Sequence, residues 1–205
     1  MMFRFLFICF FTLSAFAQQF KSVDFIQCNA FLEPNQFEKS ISGMIQYEFN
    51  VLSSIDTIKI DAKNMNFTNV MINGKSVQFK NSGATLDVFE GFKTGKNNLA
   101  FDFSAKPKQT LYFIGEGDDL QIWTQGQGKY TSNWFPSFDD VKEKVVFNLD
   151  ITFDKKYQVI SNGKLIKFSS NGNLKHWNYR MQKPMSSYLL MLAIGKFDKK
   201  IEFSN

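Results

Sequence analysis

The sequence predicts an all-β fold, an antiparallel β-sandwich or saddle of about a dozen short strands. Three observations predict it. Apolar residues recur with period two in six separate segments, which turns one face of each to a core and the other to water. Glycine-bearing turn pairs separate many of the segments. No stretch carries the period of an amphipathic helix, and Asp139 to Lys144 offers one helical turn at most.

The first 17 residues read as a signal peptide rather than as part of the fold. Arg4 supplies a positive start, Phe5 to Phe16 is apolar apart from Thr12 and Ser14, and Ala15-Phe16-Ala17 has the form of a signal-peptidase site. The apolar core is too short for a span of roughly 20 residues. Cleavage after Ala17 is expected. Residues 18–205 are then one domain of a secreted or periplasmic protein, with no transmembrane span. Such a length buries roughly 70% of its unfolded surface.

The strand segments follow in order. Asp24 to Leu32 alternates and places Cys28 in a core. Next come Ile45, Tyr47, Phe49 and Val51, then Ile58, Ile60 and Ala62, then Leu99, Phe101 and Phe103. Val145, Phe147, Leu149, Ile151 and Phe153 repeat the pattern, and so do Trp177, Tyr179 and Met181. Asn73-Gly74, Ser82-Gly83, Gly95-Lys96-Asn97, Asn162-Gly163 and Asn171-Gly172 are the turn signals. Tyr188 to Ile194 is continuously apolar, which predicts a strand buried on both faces.

The formal net charge is +5; without Arg4, 23 basic and 19 acidic residues leave +4. The lysines are scattered, so charge gives no ground for a nucleic-acid partner. Without Cys9, Cys28 is alone and no internal disulfide is possible, so the core must carry stability.

A search for chemistry finds no catalytic or metal-ligating set. A catalytic zinc takes about three protein ligands from His, Cys and Glu. His176 is the only histidine, and alternation puts it on the solvent face opposite Trp177 and Tyr179. No serine has an evident base, and the glycines after Thr124 do not open a helix, so they form no phosphate loop. Asp118-Asp119 and Asp139-Asp140 read as turn residues whose carboxylates bond nearby backbone amides. Trp134 and Trp177 read as core rather than as sugar-stacking platforms.

Four motifs stand in order along the chain: Ile122-Trp123-Thr124-Gln125-Gly126-Gln127, then Asn133-Trp134-Phe135-Pro136-Ser137-Phe138-Asp139-Asp140, then Lys144 to Gly163, then Met185 to Asp198. Together they resemble the amino-terminal domain of the aminopeptidase N family, the zinc exopeptidases that include leukotriene hydrolase. Val141 stands where that family often has proline. The resemblance implies one substrate-binding position, Gln127, two residues after Thr124-Gln125. There a glutamate or glutamine reaches from this domain into the active site of the next and holds the substrate's free amino terminus. Gln125 is expected to support it. Glutamine offers an amide oxygen without a charge, so its grip on an ammonium group is expected to be weaker than a glutamate's.

The resemblance also implies that zinc, its ligands and the peptide substrate's cleavage site belong to a following catalytic domain that this chain does not contain. The expectation is therefore a non-catalytic domain of a secreted zinc aminopeptidase that walls the cleft. Alone it would bind no zinc and cleave nothing. The alternative is a stand-alone secreted β-sandwich module that binds peptides or glycans.

Overall fold

The computed structural model describes residues 19–128 and 130–198; the expected signal peptide lies outside the described residues. The large sheet is nine-stranded. It is built from β1 (Val23–Asn35), β2 (Ser40–Val51), β4 (Met65–Ile72), β5 (Lys75–Ser76), β8 (Gly95–Ala105), β11 (Lys144–Asp154), β13 (Lys164–Asn171), β14 (Leu174–Arg180) and β15 (Met185–Ser186). Its order is β13-β14-β11-β1-β2-β8-β4-β5, with β15 against β11. A four-stranded sheet contains β9 (Leu111–Ile114), β10 (Gln121–Thr124), β12 (Gln158–Ser161) and β16 (Leu192–Gly195), in the order β12-β16-β10-β9. A three-stranded sheet contains β3 (Ile58–Asp61), β6 (Phe79–Asn81) and β7 (Thr85–Val88).

The all-β expectation holds, with more strands than foreseen and with four of them, β1, β2, β8 and β11, long at 11 to 13 residues. Every apolar residue named for the five segments after Leu32 is buried except Met181, which packs partly against the core. One core joins all three sheets: Leu32, Tyr47 and Phe147 from the large one, Ile122 and Ile194 from the second, Ile58 and Leu86 from the third. Phe135 sits in this core between Phe103 and Phe147, with ring centroids at 6.3 and 6.0 Å. Phe138 lies 4.3 Å from Phe25. The two Phe135 pairs meet edge to face, which adds to the gain from area burial. The core lies between the large sheet and the two small ones, and among the described residues the side chains on the outer face of the large sheet, Phe31 among them, are exposed or half-buried.

Four details depart from the sequence reading. β1 and β11 pair in parallel, with Cys28 opposite Phe147 and Leu32 opposite Ile151, so the large sheet is mixed. Tyr188 to Ile194 is not one buried strand. Ser187 to Leu189 is a 3-10 turn with Tyr188 and Leu189 exposed, and only Leu192 onward is strand. Asp139 to Lys144 forms a turn closed by Glu143 N–H to the Asp140 carbonyl, 3.1 Å, instead of a helical turn. His176 is on the solvent face as expected but half-buried, with its Nδ1 2.7 Å from Thr152 Oγ1.

Asn73-Gly74 is the two-residue hairpin that the sequence announces. Both residues have positive φ, 51° and 77°, as a primed turn between β4 and β5 demands. Burial pushes the Cys28 thiol well above its usual range, which agrees with the expected inert, buried cysteine.

Candidate functional site

The loop that follows β10 carries both predicted glutamines. Gln125 opens it with its N–H on the Thr110 carbonyl, 2.8 Å. Thr124 fixes the strand end by accepting the Leu192 N–H, 3.0 Å. Gly126 lies so close to the neighbouring 3-10 turn that an added Cβ would stand 2.4 Å from the Tyr188 carbonyl oxygen. Only glycine permits that approach. Gln125 and Gln127 are exposed, and among the described residues neither side chain makes a hydrogen bond. Two amide side chains are thus held out on a loop anchored at its root.

The segment after the loop supplies the anchor. Thr131 Oγ1 donates to the Ser187 carbonyl, 3.0 Å, and Ser187 Oγ accepts the Phe138 N–H, 3.3 Å. Asn133 Nδ2 donates to the Tyr130 carbonyl, 2.8 Å. Trp134 is fully buried, and Tyr47 Oη donates to the Pro136 carbonyl, 2.6 Å, so the Trp134-Phe135-Pro136 stretch is core, as foreseen.

Asp139 does more than turn the chain. Its Oδ2 accepts from Lys63 Nζ at 2.8 Å and from Ser132 Oγ at 3.0 Å, and its N–H donates to Asp61 Oδ2 at 2.7 Å. Asp61 and Ser137 also bridge backbone to backbone, 2.9 Å in each direction. Burial pushes the Asp61 carboxyl up, against the Asp139 N–H that favours its charged form. Lys63 reaches over the Tyr130 ring, 5.9 Å from its centroid. Only Asp140 behaves as a simple turn residue, with Oδ1 accepting the Lys142 N–H at 2.9 Å. Asp118 is likewise more than a turn former, because Lys196 Nζ lies 2.5 Å from its Oδ1.

A family profile described as the Peptidase M1 N-terminal domain matches residues 26–189. The chain belongs to this family.

The M1 domain is 29% identical over 155 residues to "Probable aminopeptidase 2" of Sulfurisphaera tokodaii, covering 75% of this chain and 20% of that protein. It is 32% identical over 145 residues to "Tricorn protease-interacting factor F2" of Thermoplasma acidophilum, covering 68% and 18%. The chain thus spans about a fifth of the length of these relatives. Among solved structures, the M1 zinc metallopeptidase from Deinococcus radiodurans superposes with a TM-score of 0.75 at 15% identity, over 85% of this chain and 42% of that one. Yeast LTA4 hydrolase in complex with bestatin gives 0.74 at 19%, over 86% and 29%. At these identities the structures speak for the fold.

Zinc finds no ligand set among the described residues. Among the described residues no group of three or more His, Cys, Asp or Glu side chains is placed to hold a metal ion. His176 is engaged with Thr152, and Cys28 is sealed in the core of this M1 domain. Among the described residues no helix is long and apolar enough to cross a membrane.

Sequence reasoning missed Lys63, Asp61 and Ser187 as supports of the loop. Their partners lie 49 to 78 residues away, and no local pattern announces such contacts.

Proposed function

We propose that this M1 domain is the non-catalytic amino-terminal part of a secreted or periplasmic zinc aminopeptidase, which removes amino-terminal residues from peptides. In this reading residues 18–205 form the domain, the leader is cleaved after Ala17, and zinc is bound by a following catalytic domain. The domain walls one side of the substrate cleft. Gln127 extends from the loop to accept hydrogen bonds from the substrate's ammonium group, and Gln125 supports it.

The observation that carries this reading is the exposed, root-anchored Gln125–Gln127 pair in a chain whose M1 match covers residues 26–189. The chemistry is consistent. An uncharged amide oxygen orients an ammonium group without the full attraction of a carboxylate, and the flanking glycines leave room for close approach.

The test begins with the native secreted product. An intact mass several-fold above that of residues 18–205, with one zinc per chain, supports the reading. A mass equal to residues 18–205 without zinc overturns it in favour of a stand-alone binding module. In the zinc-bearing protein, Gln127→Glu is expected to lower KM for aminoacyl anilides, by about tenfold for roughly 1.4 kcal/mol of added charge-assisted bonding. Gln127→Ala is expected to raise it. Unchanged KM in both variants would remove Gln127 from the substrate site.

A further inference from the structure

The outer face of the large sheet carries a second candidate site that does not depend on the peptidase reading. Strand pairing aligns one row of side chains across six strands. Lys167 on β13 stands opposite Asn178 on β14, Asn178 opposite Asp150 on β11, and Asp150 opposite Phe31 on β1. Phe31 then faces Met44 on β2, and Met44 faces Asp102 on β8. All six border a trough of about 680 Å³, within the usual range of small-ligand sites. Six strands give five gaps of about 4.8 Å, so the row is about 24 Å long.

The middle of the row is an aromatic ring, and its flanks are held in place. Phe31 is 43% exposed, although it lies at the centre of the sheet face. Beside it Asp150 is fixed by Arg180 at 2.8 Å and by the Asn178 side-chain amide. On the other side Asp102 accepts from Asn69 Nδ2 at 2.6 Å. His176 and Thr152 meet at 2.7 Å along the trough edge, and Asn148 Nδ2 donates to Asn29 Oδ1 at 2.9 Å one row away. Polar groups already oriented in this way lose little freedom when a ligand arrives.

The chemistry of the row selects among ligand classes. Three carboxylates, Glu33, Asp102 and Asp150, stand against Lys167 and the Arg180 paired with Asp150, so one net negative charge remains, which repels anions and is too little by itself to hold a cation. A nucleic acid would need a positive surface. A peptide that binds by adding a strand would need free backbone groups, and those of a sheet face are spent in the ladders. What remains is a ligand with flat C–H faces for Phe31 and Met44, and many neutral hydroxyls for the amides and carboxylates around them. We propose that this trough binds a neutral oligosaccharide, with Phe31 as the stacking platform and Asp150, Asn178 and Asp102 as its hydroxyl partners.

The test is saturation-transfer NMR and isothermal titration of the full chain with cellohexaose, laminarihexaose, xylohexaose and mannohexaose. At least one is expected to bind, with transfer strongest at the ring C–H protons. Phe31→Ala is expected to weaken that binding by about tenfold or more, the scale of a lost aromatic stacking contact. Asn178→Ala is a second variant at the same trough and is expected to weaken it as well. Phe89→Ala removes a ring of similar exposure, 47%, at the end of β7, and should leave binding unchanged. No binding of any of the four sugars overturns the proposal. So does binding that survives both Phe31→Ala and Asn178→Ala.

Discussion

Glu143 should make this domain less stable as pH rises through neutrality. Its side chain is buried just ahead of β11, where Oε1 accepts the Phe25 N–H at 3.2 Å. Phe25 precedes the register shift in β1, and β1 joins β11 only from Gln27 onward, so the carboxylate continues the ladder beyond its end. Burial pushes the Glu143 carboxyl up from 4.5 to about 7, and the nearby charges of Asp24 and Asp140 push the same way. The Phe25 N–H opposes them without cancelling them. The folded state therefore holds this proton more tightly than the unfolded chain does. Its contribution to stability is fully present below pH 4.5 and is lost as pH rises through 7. At about 1.4 kcal/mol per pH unit, the span is at most about 3.5 kcal/mol. Glu143→Gln stays neutral and keeps an oxygen for the Phe25 N–H. Urea unfolding followed by tryptophan fluorescence at pH 5, 6, 7 and 8 isolates the effect. The variant should match the wild type at pH 5 and exceed it at pH 8. Asp61, whose carboxyl is also pushed up, titrates in both proteins and drops out of the difference. Parallel stability curves for the two proteins would refute the reasoning.

Three further outcomes are expected. Trp134→Ala empties a fully buried site and should cost about 3–5 kcal/mol in urea unfolding; a loss below about 1 kcal/mol would mean the indole is not a core element. Gly126→Ala places a Cβ 2.4 Å from the Tyr188 carbonyl oxygen, so loop and turn must part. The same unfolding measurement should show a loss of about 1–3 kcal/mol, and limited proteolysis should cut the loop faster. Cys28 should resist a thiol-reactive disulfide reagent at pH 8 until urea unfolds the chain, because its sulfur is buried and its thiolate disfavoured.

Alternation made the inner face of the large sheet legible, because period two states directly which side chains share a face. It identified Tyr47, Phe147 and Trp177 as core without any knowledge of their neighbours. It failed at Tyr188 to Ile194, where continuous apolarity reads as a doubly buried strand. The Ser187 and Leu189 carbonyls there are taken by Thr131 and Asn162, and Tyr188 and Leu189 turn outward. The loop glutamines came from a motif, but the groups that anchor the loop come from β3 and the Ser187 turn, far along the chain.

The outer trough lies one step further from the sequence, because it exists only through register. Nothing near Phe31 says that Asp150 will stand beside it, since β1 pairs with a strand 119 residues further on. The core nonetheless fixes that neighbour. Leu32 faces Ile151 in the same parallel ladder, and both are fully buried. A slip of one residue would turn Leu32 out to water and Phe31 into the core. The apolar residues that close the inside of the sheet therefore also set which polar groups meet the exposed ring outside. A substitution that loosened Ile151 should disturb the trough without touching a residue that lines it.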